Sequence, residues 1–217
     1  EYAGEPLATR GLPLVFYGVE GTDMREANSP SWFNPHECTV VLDYVKALLQ
    51  VRGKPVAPED IGVITPYNKQ AQKITRLLMA ANLPCGGGRG IKVGSTELFQ
   101  GQERKVIIIS TVRSSANQIG FDVKHNLGFL QNPKRFNVAT TRACALMILV
   151  GNPHVLVTDP HWGTLLRECI RLGAYRGVTP PTVASGGGGH GGDGPERGGG
   201  DENDLAADRL LGGLGGG

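Results

Sequence analysis

The sequence predicts an α/β fold in which a parallel sheet is covered by helices on both faces. Stretches of strand length alternate along the chain with segments whose apolar residues recur at helical spacing. Two of the strands, Val106–Ser110 and Leu146–Val150, are continuous apolar runs, which indicates that they are buried on both faces. Ligands of such folds bind at the carboxyl ends of the strands, and we expect every motif described below to lie there.

The first strand and the first helix are predicted before residue 54. Leu14–Val19 is a short apolar run of strand length. Asn34 is placed to cap the next helix, Pro35 suits its first position, and Glu37 completes a capping box three residues after the cap. Gly53 is expected to stop this helix.

The second strand and helix follow directly. Ile61–Ile64 is an apolar strand, and Thr65 is predicted to cap a helix that Pro66 opens. Four apolar residues recur at helical spacing and are expected on its inner face: Ala71, Ile74, Leu77 and Leu78.

The second half of the chain supplies the remaining strands and a closing helix. Ile91–Val93 is predicted to be a strand, in addition to the two apolar runs named above. Thr164–Leu172 is predicted to be an amphipathic helix. Gly86–Gly90 lacks the Gly-Lys-Ser/Thr ending of a phosphate loop, and we interpret it as a flexible hairpin tip.

The composition changes after Pro181, so we predict one domain over residues 1–181, with its core at about 14–175, and a separate tail over 182–217. The tail has 15 glycines among 36 residues and a net charge of −4, and we expect it to be disordered because it has little apolar surface to bury. Residues 1–181 therefore carry a charge of +6, which suits a nucleic-acid partner but is also found on proteins that bind none.

Neither the cysteines nor the histidines indicate a metal site. The four cysteines have no Cys-x-x-Cys spacing, and the five histidines show no ligand spacing, so we predict reduced thiols and no metal ligands. No run approaches eighteen apolar residues, and the chain does not begin like a signal peptide. We expect a cytoplasmic protein with no membrane partner, and a chain that is part of a longer one.

Two motifs carry the functional prediction. Phe99–Glu103 reads Phe-Gln-Gly-Gln-Glu, and Arg135–Ala143 reads Arg-Phe-Asn-Val-Ala-Thr-Thr-Arg-Ala, with Thr65–Tyr67 before them and Val150–Pro153 after them. Together they resemble the second RecA-like domain of superfamily 1 helicases of the up-frameshift and Armitage type. The residue sequences of Ser29–Glu37 and Asp159–Trp162 are most similar to those of the Armitage branch, whose members act in RNA silencing. The resemblance extends from about residue 29 to residue 175.

The resemblance implies a nucleotide-binding set at the two motifs. Arg142 would contact the γ-phosphate as an arginine finger, and Glu103 would accept hydrogen bonds from the ribose, with Gln100 and Gly101 completing the loop. By itself, an arginine near a helix end more often interacts with the helix dipole, and a lone glutamate is more often a solvated turn residue. Many family members have Lys or Arg where this chain has Cys144.

Arg135 is also assigned to the nucleotide set, with an alternative. Either Arg135 or Asn137 can hold the loop to the helix rather than contact the nucleotide, and we favour that structural interpretation.

A second set is implied for single-stranded RNA. A motor that ignores sequence contacts phosphates through hydroxyls, backbone N–H groups and cations. The resemblance implies five such residues at strand ends: Thr65, Ser95, Thr96, Thr111 and Arg113. The alternative for Thr65 is that it caps a helix, and the alternative for the other four is that they are ordinary polar residues at strand ends. Tyr67 is interpreted as a packing residue more readily than as a base-stacking one.

The resulting hypothesis is the C-terminal motor half of an ATP-dependent RNA helicase. No Walker A lysine and no magnesium-binding Asp-Glu pair precede Leu14, so we expect the chain alone not to hydrolyse ATP. ATP and Mg²⁺ would be held mainly by an N-terminal RecA-like domain absent from this chain, and silencing-complex proteins are further expected partners. A non-catalytic RNA- or partner-binding module and a DNA helicase of the same superfamily stay open as alternatives.

Overall fold

The computed structural model describes residues 11–26, 29, 31–53, 55–115 and 128–182. Apart from Thr182, the predicted tail lies outside these residues, so its disorder and the domain boundary at residue 181 stay predictions. Eight strands are present in the described ranges: β1 Leu14–Gly18, β2 Met24–Arg25, β3 Trp32–Phe33, β4 Ile61–Ile64, β5 Lys92–Gly94, β6 Arg104–Ser110, β7 Ala143–Gly151 and β8 Tyr175–Gly177.

Helices connect these strands in the order predicted for an α/β fold. They are α1 Pro35–Leu49, α2 Asn68–Ala80, α3 Pro133–Thr140, α4 Pro153–Leu156 and α5 Pro160–Arg171, with short 3-10 turns at Pro58–Asp60 and Glu97–Phe99. Six strands form one parallel sheet in the order β5-β4-β6-β7-β1-β8, and β2 pairs with β3 as a separate antiparallel hairpin. The RecA-like parallel sheet expected from the sequence is confirmed.

The sheet separates two apolar cores. Helices α1 and α2 cover one face, and helices α3, α4 and α5 cover the other. Strand β6 serves both cores: Ile108 packs into the first, whereas Ile107 and Ile109 pack into the second, because successive side chains of a strand point to opposite faces. This double burial is what the continuous apolar runs predicted.

The start of α2 differs from the prediction. The helix begins at Asn68 after an N-cap position at Tyr67 whose side chain makes no capping hydrogen bond, so the prediction that Thr65 caps it is wrong. Thr65 continues the sheet instead, and its N–H donates to the carbonyl of Gly94 at 3.0 Å. Ile74 and Leu78 are buried as expected, whereas Leu77 is exposed.

The cap of α1 is confirmed, but the capping box is not. The side chain of Asn34 accepts from the N–H groups of His36 and Glu37 at 3.0 and 3.3 Å. The N–H of Asn34 donates to Gln70 Oε1 at 2.9 Å, and the Glu37 carboxylate is bound elsewhere. The helix ends at Leu49, before the predicted glycine stop.

The closing helix is longer than predicted. It begins at Pro160 because the side chain of Asp159 accepts from the N–H groups of His161 and Trp162 at 2.9 and 3.0 Å, which caps the helix. The short strands β2, β3 and β8 were not predicted.

Candidate functional site

The two predicted sets of site residues lie at opposite edges of the sheet, except for Arg135, which lies in α3 and pairs with Glu97 beyond the carboxyl end of β5. Gln100–Glu103 directly precede β6, and Arg142 directly precedes β7. Since β6 and β7 run parallel, these residues share the edge formed by the amino ends of the strands, called here the amino edge. The expectation that all motifs lie at the carboxyl ends is therefore wrong for this set.

The second set lies at the carboxyl edge, where the parallel strands end. Thr65 follows β4, Ser95 and Thr96 follow β5, and Thr111 and Arg113 follow β6. Their common location agrees with the prediction. Parallel pairing brings the ends of β5, β4 and β6 side by side, so residues distant in sequence form one row.

The amino edge is held together by backbone pairing between the two motifs. The N–H of Arg104 donates to the carbonyl of Arg142 at 3.1 Å. On the same edge, Cys144 Sγ lies 3.6 Å from Glu103 Oε2 and donates to it. The glutamate and the arginine that the resemblance assigns to one nucleotide are therefore neighbours.

Gly101 leaves the loop before β6 open. Its φ is +72°, in the left-handed region that glycine adopts at little cost. A Cβ placed there would have no heavy atom of the described residues within 4 Å, so a ligand can approach the backbone. Gln100, Gly101 and Glu103 are all exposed.

Arg142 follows the end of α3. The helix is capped at its start by Asn132, whose side chain accepts from the N–H of Arg135 at 3.1 Å. Arg142 donates from Nη2 to the hydroxyl of Thr141 at 2.9 Å. Its Nε is buried and has no partner within the described part of the chain.

Arg135 holds the loop to the helix, as the structural alternative proposed. Its guanidinium pairs with the Glu97 carboxylate, with Nη2 at 3.0 Å and Nε at 3.1 Å from Oε1. It also donates to the carbonyl of Gly128 at 3.3 Å. These contacts fix the 3-10 turn that precedes the loop Gln100–Glu103, called here the glycine loop. The predicted nucleotide contact of Arg135 stays a prediction.

Two threonines of the carboxyl edge have free hydroxyls. Thr65 and Thr96 are buried, and the Oγ1 atom of each has no hydrogen-bond partner among the residues described. Buried hydroxyls are usually paired, so these two are exceptions among the described residues. Thr111 is also buried, and its hydroxyl donates to the carbonyl of Val150 at 3.3 Å.

Arg113 is buried in a polar and aromatic cluster. Its side chain is 1% exposed, and Nη1 lies 2.7 Å from Asp23 Oδ2. Its Nε donates to the hydroxyl of Tyr67 at 3.0 Å, and its guanidinium lies 4.2 Å from the Trp32 ring centroid. Tyr67 is 2% exposed, which agrees with its interpretation as a packing residue. Arg113 therefore anchors the end of β6, and its predicted phosphate contact stays untested.

A buried polar network that sequence reasoning missed shapes the same edge. The Glu37 carboxylate accepts from the Ser110 hydroxyl at 2.6 Å and from the N–H of Val112 at 2.9 Å. Gln70 donates to the Ser110 hydroxyl at 2.8 Å. Val112 has a φ of +74°, which is strained for a β-branched residue. The carboxylate therefore stabilises an unfavourable backbone conformation between Thr111 and Arg113.

Glu37 is expected to make the stability of the fold depend on pH. Burial raises its pKa from 4.5 to about 7, against the opposing effect of the hydrogen bonds from Ser110 and Val112. A carboxyl with a raised folded-state pKa contributes stability that is complete below the unfolded pKa and is lost as pH rises through the folded pKa. From pH 5 to pH 8 we expect a loss on the order of 2 kcal/mol from this group.

Urea unfolding at both pH values, with Glu37→Gln beside the unaltered chain, measures this loss. The variant should lack the decline, and the exposed-carboxyl control Glu168→Gln should retain it. An equal loss of unfolding free energy from pH 5 to pH 8 in Glu37→Gln would contradict the assignment of this pH dependence to Glu37.

No metal-binding group of three or more His, Cys, Asp or Glu side chains occurs in the part of the chain that the structure describes. Within that same part, no helix has the length and apolar character to cross a membrane.

Comparison with known proteins adds independent evidence. A family model described as an AAA domain matches residues 3–154. The chain is 52% identical over 182 residues to the human protein named RNA helicase Mov10l1, covering 83% of the chain and 14% of that protein. It is 51% identical over 182 residues to a Gallus gallus protein named putative helicase MOV-10, covering 80% and 19%. It is 42% identical over 168 residues to the Drosophila melanogaster protein named probable RNA helicase armi, covering 77% and 14%.

The RecA-like sheet with these motifs at its two edges defines a helicase domain. The chain belongs to the AAA-domain family that the matched model describes, among the superfamily 1 helicases of the up-frameshift and Armitage type. It spans less than a fifth of the length of the three relatives described above.

Proposed function

We propose that this chain is the second motor half of an ATP-dependent RNA helicase, which couples ATP hydrolysis to movement along single-stranded RNA in RNA silencing or RNA turnover. The observation that carries the proposal is the separation of the two residue sets. Four residues of the predicted nucleotide set, Gln100, Gly101, Glu103 and Arg142, lie at the amino edge, before β6 and β7. The predicted nucleic-acid set lies at the carboxyl edge, after β4, β5 and β6.

The amino edge fits one side of a bound nucleotide. Arg142 has a buried Nε without a partner in the described residues, and the backbone at Gly101 is open to approach. Arg142 would hold phosphate oxygens and Glu103 would accept from the ribose. When bound, ATP with Mg²⁺ supplies the reactive phosphoryl group. Because the described residues offer no metal-ligand cluster, we assign the Mg²⁺ ligands to an N-terminal RecA-like domain.

The carboxyl edge fits the backbone of a single strand. The hydroxyls of Thr65 and Thr96 have no partner among the described residues, and they would donate to phosphates once a local change at this edge exposes them. The relatives named RNA helicases favour RNA as the strand, and the name armi is that of the Armitage branch, which supports a part in silencing. The cytoplasmic location predicted from the sequence and any silencing-complex partners stay predictions.

Replacing the two free hydroxyls tests the carboxyl edge. Thr65→Val and Thr96→Val each remove a hydroxyl that has no partner among the described residues, so we expect folding stability to be unchanged or slightly raised. Single-stranded RNA affinity should fall by roughly five- to tenfold in the double variant, since two phosphate hydrogen bonds are lost. Fluorescence anisotropy with a labelled oligouridylate measures the affinity.

The matched control is Thr158→Val. Its hydroxyl is used within the protein, donating to the carbonyl of Val155 at 2.7 Å, and it belongs to neither predicted set. This variant should bind RNA normally. Normal RNA binding by the double variant at Thr65 and Thr96 would remove the support for the carboxyl edge as the track.

A further inference from the structure

Three cations surround the glycine loop at the amino edge. Lys92 donates from Nζ to Gln102 Oε1 and, at 2.9 Å, to the carbonyl of Leu98. Arg104 opens β6, and Arg142 precedes β7. Desolvation lowers the pKa of Lys92, and the positive charge of Arg104 lowers it further, so these like charges lie close enough to repel each other.

Arg104 makes few contacts for a cation that is partly buried. Its Nη1 donates to the carbonyl of Glu103 at 2.8 Å. Its Nε is buried and has no partner within the described ranges, in the same way as the Nε of Arg142. Those ranges contain no carboxylate that pairs with either arginine.

Several other cations of the domain have acidic partners. Arg113 pairs with Asp23, Arg135 pairs with Glu97, and Lys105 pairs with Asp60 at 2.6 Å. Arginine presents planar donors that match phosphate geometry. The backbones of Arg104 and Arg142 are hydrogen-bonded to each other, and neither guanidinium has a counter-ion in the described ranges. Their charge therefore suits an anion from outside the domain.

We infer that Arg104 is a second phosphate-binding cation, which binds the polyphosphate of a nucleoside triphosphate beside Arg142. The inference rests on the proposed nucleotide role of the amino edge. Arg142 reaches the edge from the end of α3, whereas Arg104 belongs to β6 itself, and the 3.1 Å backbone hydrogen bond joins them. Lys92 has a positioning role because its ammonium is occupied by the loop.

Nuclear magnetic resonance of the 217-residue chain tests this role. The Nε–Hε signals of the arginines report directly on the two unpartnered donors, in titrations with ATP, inorganic tripolyphosphate and adenosine. We expect the Arg104 and Arg142 signals to shift with ATP and with tripolyphosphate but not with adenosine. Arg104→Ala should weaken ATP binding by about tenfold or more, since a charged hydrogen bond is lost.

Two further variants make the result specific. Arg104→Lys keeps the charge but loses the planar fork, and its affinity should lie between those of the unaltered chain and Arg104→Ala. It also preserves the test if the alanine variant does not fold. Lys105→Ala removes a neighbouring exposed cation that pairs with Asp60, and it should bind ATP normally.

The outcomes separate the inference from the proposed function. If Arg142→Ala weakens ATP binding while Arg104→Ala does not, the second cation is disproved and the nucleotide edge stands. If neither variant changes ATP binding, both are disproved. An equal loss in Lys105→Ala would show a general effect of charge and would also overturn the inference.

Discussion

Arg142→Ala is expected to lower ATP turnover by on the order of 10³-fold or more, with single-stranded RNA binding nearly unchanged. The protein for this measurement joins the chain to an N-terminal motor domain. Negative charge spreads over the transferred phosphoryl oxygens in the transition state, so a cation placed there affects the rate more than ground-state binding. RNA binding should persist because Arg142 lies at the opposite edge of the sheet from the row of threonines, Thr65, Thr96 and Thr111.

Steady-state ATPase assays at saturating RNA measure the ATP turnover, and an RNA titration measures the RNA affinity. Arg142→Lys should recover little turnover because a point charge lacks the fork that engages two oxygens. Arg176→Ala is a matched control at an arginine of neither predicted set. Near-normal turnover in Arg142→Ala would show a helix-end residue with no role in the reaction, whereas a parallel loss of turnover and RNA affinity would indicate misfolding.

Asp23→Ala is expected to have the largest effect on stability. Asp23 and Arg113 are each 1% exposed, and their charged atoms lie 2.7 Å apart. Removing the carboxylate leaves a buried guanidinium without its counter-ion, which typically costs about 3–5 kcal/mol. It also removes the acceptor of the Ser115 hydroxyl, which lies 2.6 Å from Asp23 Oδ1.

Urea denaturation measures this cost, with the exposed ion pair of Lys105 and Asp60 as a control. Lys105 and Asp60 also form an ion pair, but their side chains are 66% and 26% exposed, so Asp60→Ala should cost less than about 1 kcal/mol. Combining Asp23→Ala with Arg113→Met should recover part of the loss, because no unpaired charge is then buried. Equal costs for the two aspartates would contradict the account of the buried cluster.

The fold could be predicted largely because burial is visible in the sequence. Val106–Ser110 and Leu146–Val150 are uninterrupted by polar residues until their ends, and both became central strands of a sheet that is covered on each face. Strand β8 was missed because three residues, Tyr175–Gly177, carry too little pattern. The start of α2 was misplaced because Thr65–Pro66 has the composition of a helix start, while sheet pairing extends through Thr65.

The motifs of the site could be found in the sequence, but the edge of the nucleotide set was misassigned. The available signal was their order relative to the apolar runs, since Glu103 and Arg142 come just before a strand and Thr111 comes just after one. Glu37 was assigned to a capping box, and its contact with the end of β6 was missed for another reason. Its partner Ser110 is 73 residues away, and such a contact leaves no local pattern beyond an acidic residue next to a helical apolar stripe.

The central claim, that RNA and nucleotide bind opposite edges of one sheet, is tested most directly by mapping amide chemical shifts of the chain during titration with single-stranded RNA. The account predicts that the largest shifts occur at the carboxyl edge, around Thr65, Ser95–Thr96 and Thr111, and that Gln100–Glu103 and Arg142 change little. Largest shifts at Gln100–Glu103 and Arg142, with none along the row of threonines, would contradict it.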